Sequence, residues 1–170
     1  MGKKSIKENK NIYFESREEA GLTRAQASEL IGTISESRLE KLETGKTALY
    51  PEDVVDMATA YKKPELCNYY CTHECRIGKE SVPEVKVSSL SEIVLGMLSA
   101  LNSLDKQKDR LIEITADGVV SDDEIPDFVH IQKQLDQIDH TVEALKLWVA
   151  NTINSGNINA DRLKEYSEKN

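Results

Sequence analysis

The chain has 170 residues, the length of one ordinary domain or two small ones. It is 39% hydrophobic, 31% charged and 5% aromatic, which excludes collagen-like and low-complexity classes, and no run approaches the roughly 20 apolar residues that span a bilayer. The net charge of −8 disfavours nucleic acid taken over the whole chain, but residues 1–80 hold 13 Lys+Arg against 14 Asp+Glu and residues 81–170 hold 9 against 16. Any surface that faces DNA must therefore be local and lie in the first half.

The first ten residues carry four lysines and almost nothing apolar, the pattern of a flexible basic arm. They contain no apolar h-region, so a cytoplasmic address is expected. A helical pattern starts near Asn11, with Ile12, Tyr13 and Ala20 able to share a face and Arg17 and the glutamates expected outside; Gly21 ends it. Thr23 caps a second helix over about Arg24–Ile31, closed by Gly32. Ser35 caps a third, with Leu39 and Leu42 as its buried stripe and Gly45 at its end. Pro51 opens a fourth, where Val54, Val55, Met57, Ala58 and Tyr61 supply the apolar positions, and Pro64 closes the block.

Residues 65–88 hold all three cysteines, then Gly78 and Pro83, and suggest a compact cysteine segment followed by a linker. From Leu90 the period changes. Leu90, Val94, Met97, Leu101, Leu104 and Leu111 follow a heptad rhythm with Lys108 as the polar break, up to Asp117-Gly118. A second seam follows through Phe128, Ile131, Leu135, Ile138, Val142, Leu145 and Val149, opened by a Ser121/Glu124 capping box. Two helices of about 27 residues, each about 40 Å long, joined by a short turn, must run antiparallel. A two-helix hairpin over 89–153 buries little alone, so pairing with a second copy, a homodimer, is expected. Residues 154–170 are expected to form a flexible tail.

The run Gly21-Leu22-Thr23-Arg24-Ala25-Gln26-Ala27-Ser28-Glu29-Leu30-Ile31-Gly32 resembles the first half of a Cro/CI-type (XRE) helix-turn-helix. Ile34 to Lys46, with Glu43-x-Gly45, is similar to its recognition helix, and the resemblance covers residues 11–64. Small Ala27 and Ser28 suit two helices that cross closely, Gly32 suits the tight turn, and the second helix would present its N-terminal end to the major groove. The resemblance implies base-reading positions at Glu36, Ser37 and Lys41, with Ser35 at the helix start. Lys41 can read guanine and Glu36 can accept from cytosine N4. Arg24, Arg38, Thr44 and Lys46 would hold phosphates, while Glu43 would cap or pair within the domain. The sequence departs from the family in Arg24 at the usual glutamine, in one extra turn residue, and in a helix that carries Glu36, Glu40 and Glu43.

Cys67, Cys71, His73 and Cys75 have the spacing Cys-x3-Cys-x-His-x-Cys. On a helix the cysteines form one stripe and His73 points away. In a loop all four could converge on zinc, or three thiolates could hold an iron–sulfur cluster; otherwise the thiols sense redox state or simply pack. The stretch Glu113–Glu124 can be laid on a calcium loop, but Glu113 and Thr115 depart from it, and a helix end at Gly118 with a capped restart at Ser121 needs no ion. The three histidines, His73, His130 and His140, belong to no nucleophile–base set, and no glycine-rich phosphate loop is present, so no enzyme is expected. The sequence thus predicts an all-α protein, a lambda-repressor-like helix-turn-helix bundle followed by a long antiparallel helical hairpin. Its expected function is that of a bacterial or phage regulator of transcription, a dimeric repressor on double-stranded DNA with an inverted-repeat operator. No membrane and no small-molecule substrate are expected. The alternative is a protein-interaction or antitoxin-like module that keeps the fold.

Overall fold

The structure, a computed structural model, describes residues 10–169. All but the last residue of the expected basic arm (1–10) lies outside the described residues. These form ten helices and no strand, divided between Val82 and Pro83 into two compact units.

The first unit contains α1 (Ile12–Glu19), α2 (Arg24–Ile31), α3 (Glu36–Glu43), α4 (Pro51–Ala60), α5 (Glu65–His73) and the single turn α6 (Gly78–Ser81). Local chemistry sets the boundaries. The Asn11 side chain accepts from the Phe14 N–H, Thr23 and Gln26 form a capping box, the Ser35 hydroxyl accepts from the Arg38 N–H, and Pro51 occupies the first position of α4. One core gathers Tyr13, Ala27, Ile34, Leu39, Leu42, Val54, Met57, Ala58, Tyr61 and Leu66. Each large aliphatic side chain buried there contributes about 1.5–3 kcal/mol relative to exposure.

Three expectations for this unit are corrected. Arg17 is buried, not outside, because its charge finds a buried carboxylate, and Val55 faces solvent. The expected cysteine segment and linker over 65–88 is divided, residues 65–82 belonging to the first compact unit and 83–88 to the second. Leu66 of α5 completes the core, with Cys67, Tyr69 and Tyr70 packed against it.

The second unit contains α7 (Leu90–Asp105), α8 (Lys108–Thr115), α9 (Ile125–Asn154) and α10 (Ala160–Ser167). Ser89 and Glu92 cap α7 reciprocally. The predicted first long helix is broken. Gln107 has φ −113° and ψ 1°, outside helical geometry, and the chain restarts as α8 when the Leu111 N–H donates to the Gln107 carbonyl. By contrast α9 runs unbroken for 30 residues, about 45 Å. It packs along α7 in the antiparallel sense: Ile93 clusters with Ala144 and Leu147, and Gly96 lies against Thr141. A Cβ at position 96 would stand 3.3 Å from the Thr141 methyl, so glycine there sets the closeness of approach.

The buried side of α7 is not the predicted seam. Ile93 and Ala100 are buried, whereas Leu90, Val94 and Leu101 are exposed. On α9, Ile131, Thr141, Ala144 and Leu147 are buried and Leu135 is exposed. The tail also differs from expectation, since Asn159 caps α10, a helix with every residue exposed. At 113–124 the chain ends a helix, turns at Gly118, and ties the Ser121 N–H and hydroxyl to the Glu124 carboxylate.

Candidate nucleic-acid interface

Helices α2 and α3 form the candidate interface. Gly32 ends α2 at φ 75°, a conformation that a side chain would strain, and the chain turns into α3 within four residues. The turn is fastened by the Ser28 hydroxyl, which donates to the Ile34 carbonyl at 2.8 Å, and by the Thr33 hydroxyl, which donates to Asp56. Ala27 is fully buried, and its small side chain lets the two helices meet. Along α3, Leu39, Leu42 and Glu43 face the core. Ser35, Glu36 and Ser37 face solvent at the N-terminal part, the end with the positive pole of the helix, and Glu40 and Lys41 face solvent further along, Lys41 in the last turn.

Glu43 is the anchor that fixes α3 to the rest of the unit. Its carboxylate, 1% exposed, accepts from Arg17 Nε at 2.5 Å and Nη2 at 3.1 Å, and from Arg24 Nε at 2.8 Å. Burial works against the Arg17 charge, but its bonds to Glu43 and Glu18 outweigh this and hold the guanidinium more firmly protonated than usual. The Phe14 ring lies 4.9 Å from the Arg17 guanidinium carbon and 6.0 Å from that of Arg24. Here the paired role expected of Glu43 is observed. Its partners Arg17 and Phe14 were not legible as site residues. The available signal was register: Arg17 falls one turn after buried Tyr13, and Glu43 one turn after buried Leu39, so both charges lie on apolar faces and need each other.

The predicted DNA-facing residues separate into two groups. Ser35, Glu36, Ser37 and Lys41 are exposed along α3, and Lys46 is exposed just past its end. Arg24 and Arg38 are each engaged by a carboxylate. Arg38 Nη2 donates to Asp53 at 2.5 Å, a bond that raises its affinity for the proton, and its guanidinium lies over the Tyr50 ring at 5.4 Å. The Thr44 hydroxyl bonds back to the Glu40 carbonyl at 2.7 Å.

Of the alternatives for Cys67, Cys71, His73 and Cys75, the loop in which all four converge on a metal is not the one adopted, because Glu65–His73 is helical. Helix α5 sets Cys67 and Cys71 one turn apart, and Cys75 lies beyond the helix end, where its sulfur accepts from the Gly78 N–H at 3.4 Å. The His73 ring stacks on Tyr69, centroids 4.3 Å apart. Among the described residues no group of three His, Cys, Asp or Glu side chains is placed to hold a metal ion, so neither zinc nor an iron–sulfur cluster fits. Burial raises the Cys67 and Cys71 thiols above the ordinary range, with the neighbouring sulfur adding to the effect, which keeps both protonated near neutrality. His130 and His140 lie apart on α9, on its exposed and half-exposed sides. None of the described helices is long and apolar enough to cross a membrane.

No curated protein and no solved structure matches the chain. Residues 15–72 match the model of a family described as a helix-turn-helix domain, and the match takes in most of α1, all of α2 to α4 and all but the last residue of α5. Residues 15–72 therefore carry a helix-turn-helix domain, which at a coarse level suggests a DNA-binding regulator.

Proposed function

We propose that the protein is a sequence-specific regulator of transcription that acts as a dimeric repressor, occupying an inverted-repeat operator in bacterial or phage DNA. The observation that carries this reading is the exposed side of α3, with Ser35, Glu36 and Ser37 at its start and Lys41 in its last turn, on a helix fixed by Leu39, Leu42 and Glu43. A helix held from behind and open in front can enter a major groove. Lys41 then donates to guanine, Glu36 accepts from cytosine N4 and Ser37 tolerates either base, while Lys46, Thr44 and the Arg24 side chain contact phosphates. Arg38 positions the start of α3 through Asp53 and adds positive potential rather than a dedicated contact. The mechanism is occupancy, with no chemical step.

The test is selection of bound sequences from a random duplex library at near-physiological salt. An enriched inverted repeat is expected, and Lys41→Ala should weaken binding to it about tenfold or more, the cost of one lost bidentate base contact. Absence of enrichment by folded protein, together with no effect of Lys41→Ala, would overturn the reading. It would leave a domain that keeps the fold for protein contacts, an alternative favoured by the two exposed carboxylates Glu36 and Glu40 on the same face.

A further inference from the structure

The contact between α7 and α9 is built largely from small residues. Gly96, Ala100, Thr141 and Ala144 let the helices approach, with Ile93 and Leu147 filling the gaps. The bulky residues of α7 are turned the other way. Val94 is 41% exposed, Leu98 52%, Leu101 45% and Leu95 67%, and Leu90 continues the stripe. From Ile93 to Leu104 there is no charged residue, although residues 81–170 as a whole hold 9 Lys+Arg against 16 Asp+Glu. Apolar side chains thus lie on two sides of α7, between the polar breaks Ser99, Asn102 and Ser103, and a helix apolar on two sides is one covered on both.

We propose that a second copy of this chain covers the outer stripe of α7, pairing α7 with α7 so that α7 and α9 of two copies form a four-helix bundle. This rests on the dimeric reading given above and names its interface. Three observations choose a second copy over another partner. Leu90, Val94, Leu98 and Leu101 recur at spacings of 4, 4 and 3, an 11-residue period that keeps them on one face of the helix, and one such stripe is its own complement across a two-fold axis. The stripe offers no charge to a basic or an acidic partner, and it is where two acidic units can meet without repulsion. The stripe runs from Leu90 to Leu101, about 17 Å along α7, which is three turns of continuous contact for a like helix.

The experiment measures the mass in solution of the full chain, wild type and Val94→Glu/Leu98→Glu, by light scattering across a dilution series. The wild type is expected as a dimer, and the double variant as a monomer with its helical circular dichroism kept. Leu98→Ala, which introduces no charge, should raise the dissociation constant about tenfold and decides the matter if the double variant does not fold. Ile112→Glu on α8, equally exposed but off the stripe, should leave the dimer intact. A monomeric wild type, or a dimer as tight with Leu98→Ala as without it, overturns the proposal. Binding to a half-site duplex separates this from the operator reading: a monomeric variant that still binds the half-site supports both, whereas a dimer that binds no duplex would sink only the operator reading.

Discussion

Glu43 shows how one residue decides whether α3 is held. Two arginines and a carboxylate share a nearly dry space behind the exposed face, and removing the negative charge leaves Arg17, 3% exposed, without its counter-ion. Breaking a buried pair from one side costs about 3–5 kcal/mol. Glu43→Gln keeps the shape and one acceptor, so a loss of about 3 kcal/mol is expected, read as a lowered urea midpoint for the first unit. An unchanged midpoint would mean that Arg17 escapes to solvent. At the end of α4 the same kind of local reasoning gives a gain. The Lys62 N–H donates to the Thr59 carbonyl and the Lys63 N–H to the Ala58 carbonyl, the paired closure that glycine serves after α1 and α3. Lys62 adopts φ 55°, which costs a side chain about 1–2 kcal/mol. Glycine gives part of that back through its freer unfolded state, so Lys62→Gly should raise stability by about 0.5–1 kcal/mol in the same titration.

Among the helices, α7 depends on its first turn. The Ser89 hydroxyl accepts from the Glu92 N–H while the Glu92 carboxylate accepts from the Ser89 N–H and hydroxyl. Those bonds from Ser89 hold the Glu92 carboxyl below the usual carboxylate range. The stabilisation is therefore complete above the ordinary glutamate value and is lost as pH falls through the lower, folded value. Ser89→Ala should cost about 1 kcal/mol at neutral pH, and the gap between variant and wild type in thermal midpoint should narrow in acid. Caps of this kind explain why α1 to α4 were legible in the sequence: Asn11, Thr23, Ser35 and Pro51 mark starts, and Gly21, Gly32 and Gly45 mark ends, all within a few bonds of the residues they control. The second unit was less legible because heptad spacing reports that a face is apolar, not which partner covers it. Leu90, Val94 and Leu101 satisfied the spacing, yet Ala100 and Gly96, silent in a hydrophobic pattern, make the contact with α9. The break at Gln107 fell between Leu104 and Leu111, where the seam had only Lys108 and nothing apolar to hold the helix in register. The exposed half of the candidate interface, Ser35 to Lys41, was legible from the resemblance. The engagement of Arg24 and Arg38 was not, since their partners Glu43 and Asp53 lie 19 and 15 residues away.

For the whole molecule the deciding quantity is how few cations the proposed interface offers a duplex against a net charge of −8. Near α3, Lys41 and Lys46 are exposed, Arg24 is bound in part by Glu43, and Arg38 is held by Asp53. Each phosphate neutralised releases counter-ions, so the logarithm of the binding constant falls with the logarithm of salt at about −0.9 per contact. Two or three phosphate contacts per copy, doubled in a dimer, give a slope of about −4 to −5. Lys46→Gln removes one contact from each copy and should flatten the operator slope by about 2, with nearly uniform weakening across sequences. Lys41→Ala should act differently, lowering the preference for operator over random duplex with less change in slope, because its partner is a base edge. The dimer-breaking Val94→Glu/Leu98→Glu chain, titrated on a half-site, should show about half the wild-type slope. Fluorescence anisotropy at several salt concentrations measures all three. Equal slopes for the wild-type chain and the Lys46→Gln chain would remove that lysine from the phosphate contacts and shift the electrostatic footprint away from the exit of α3.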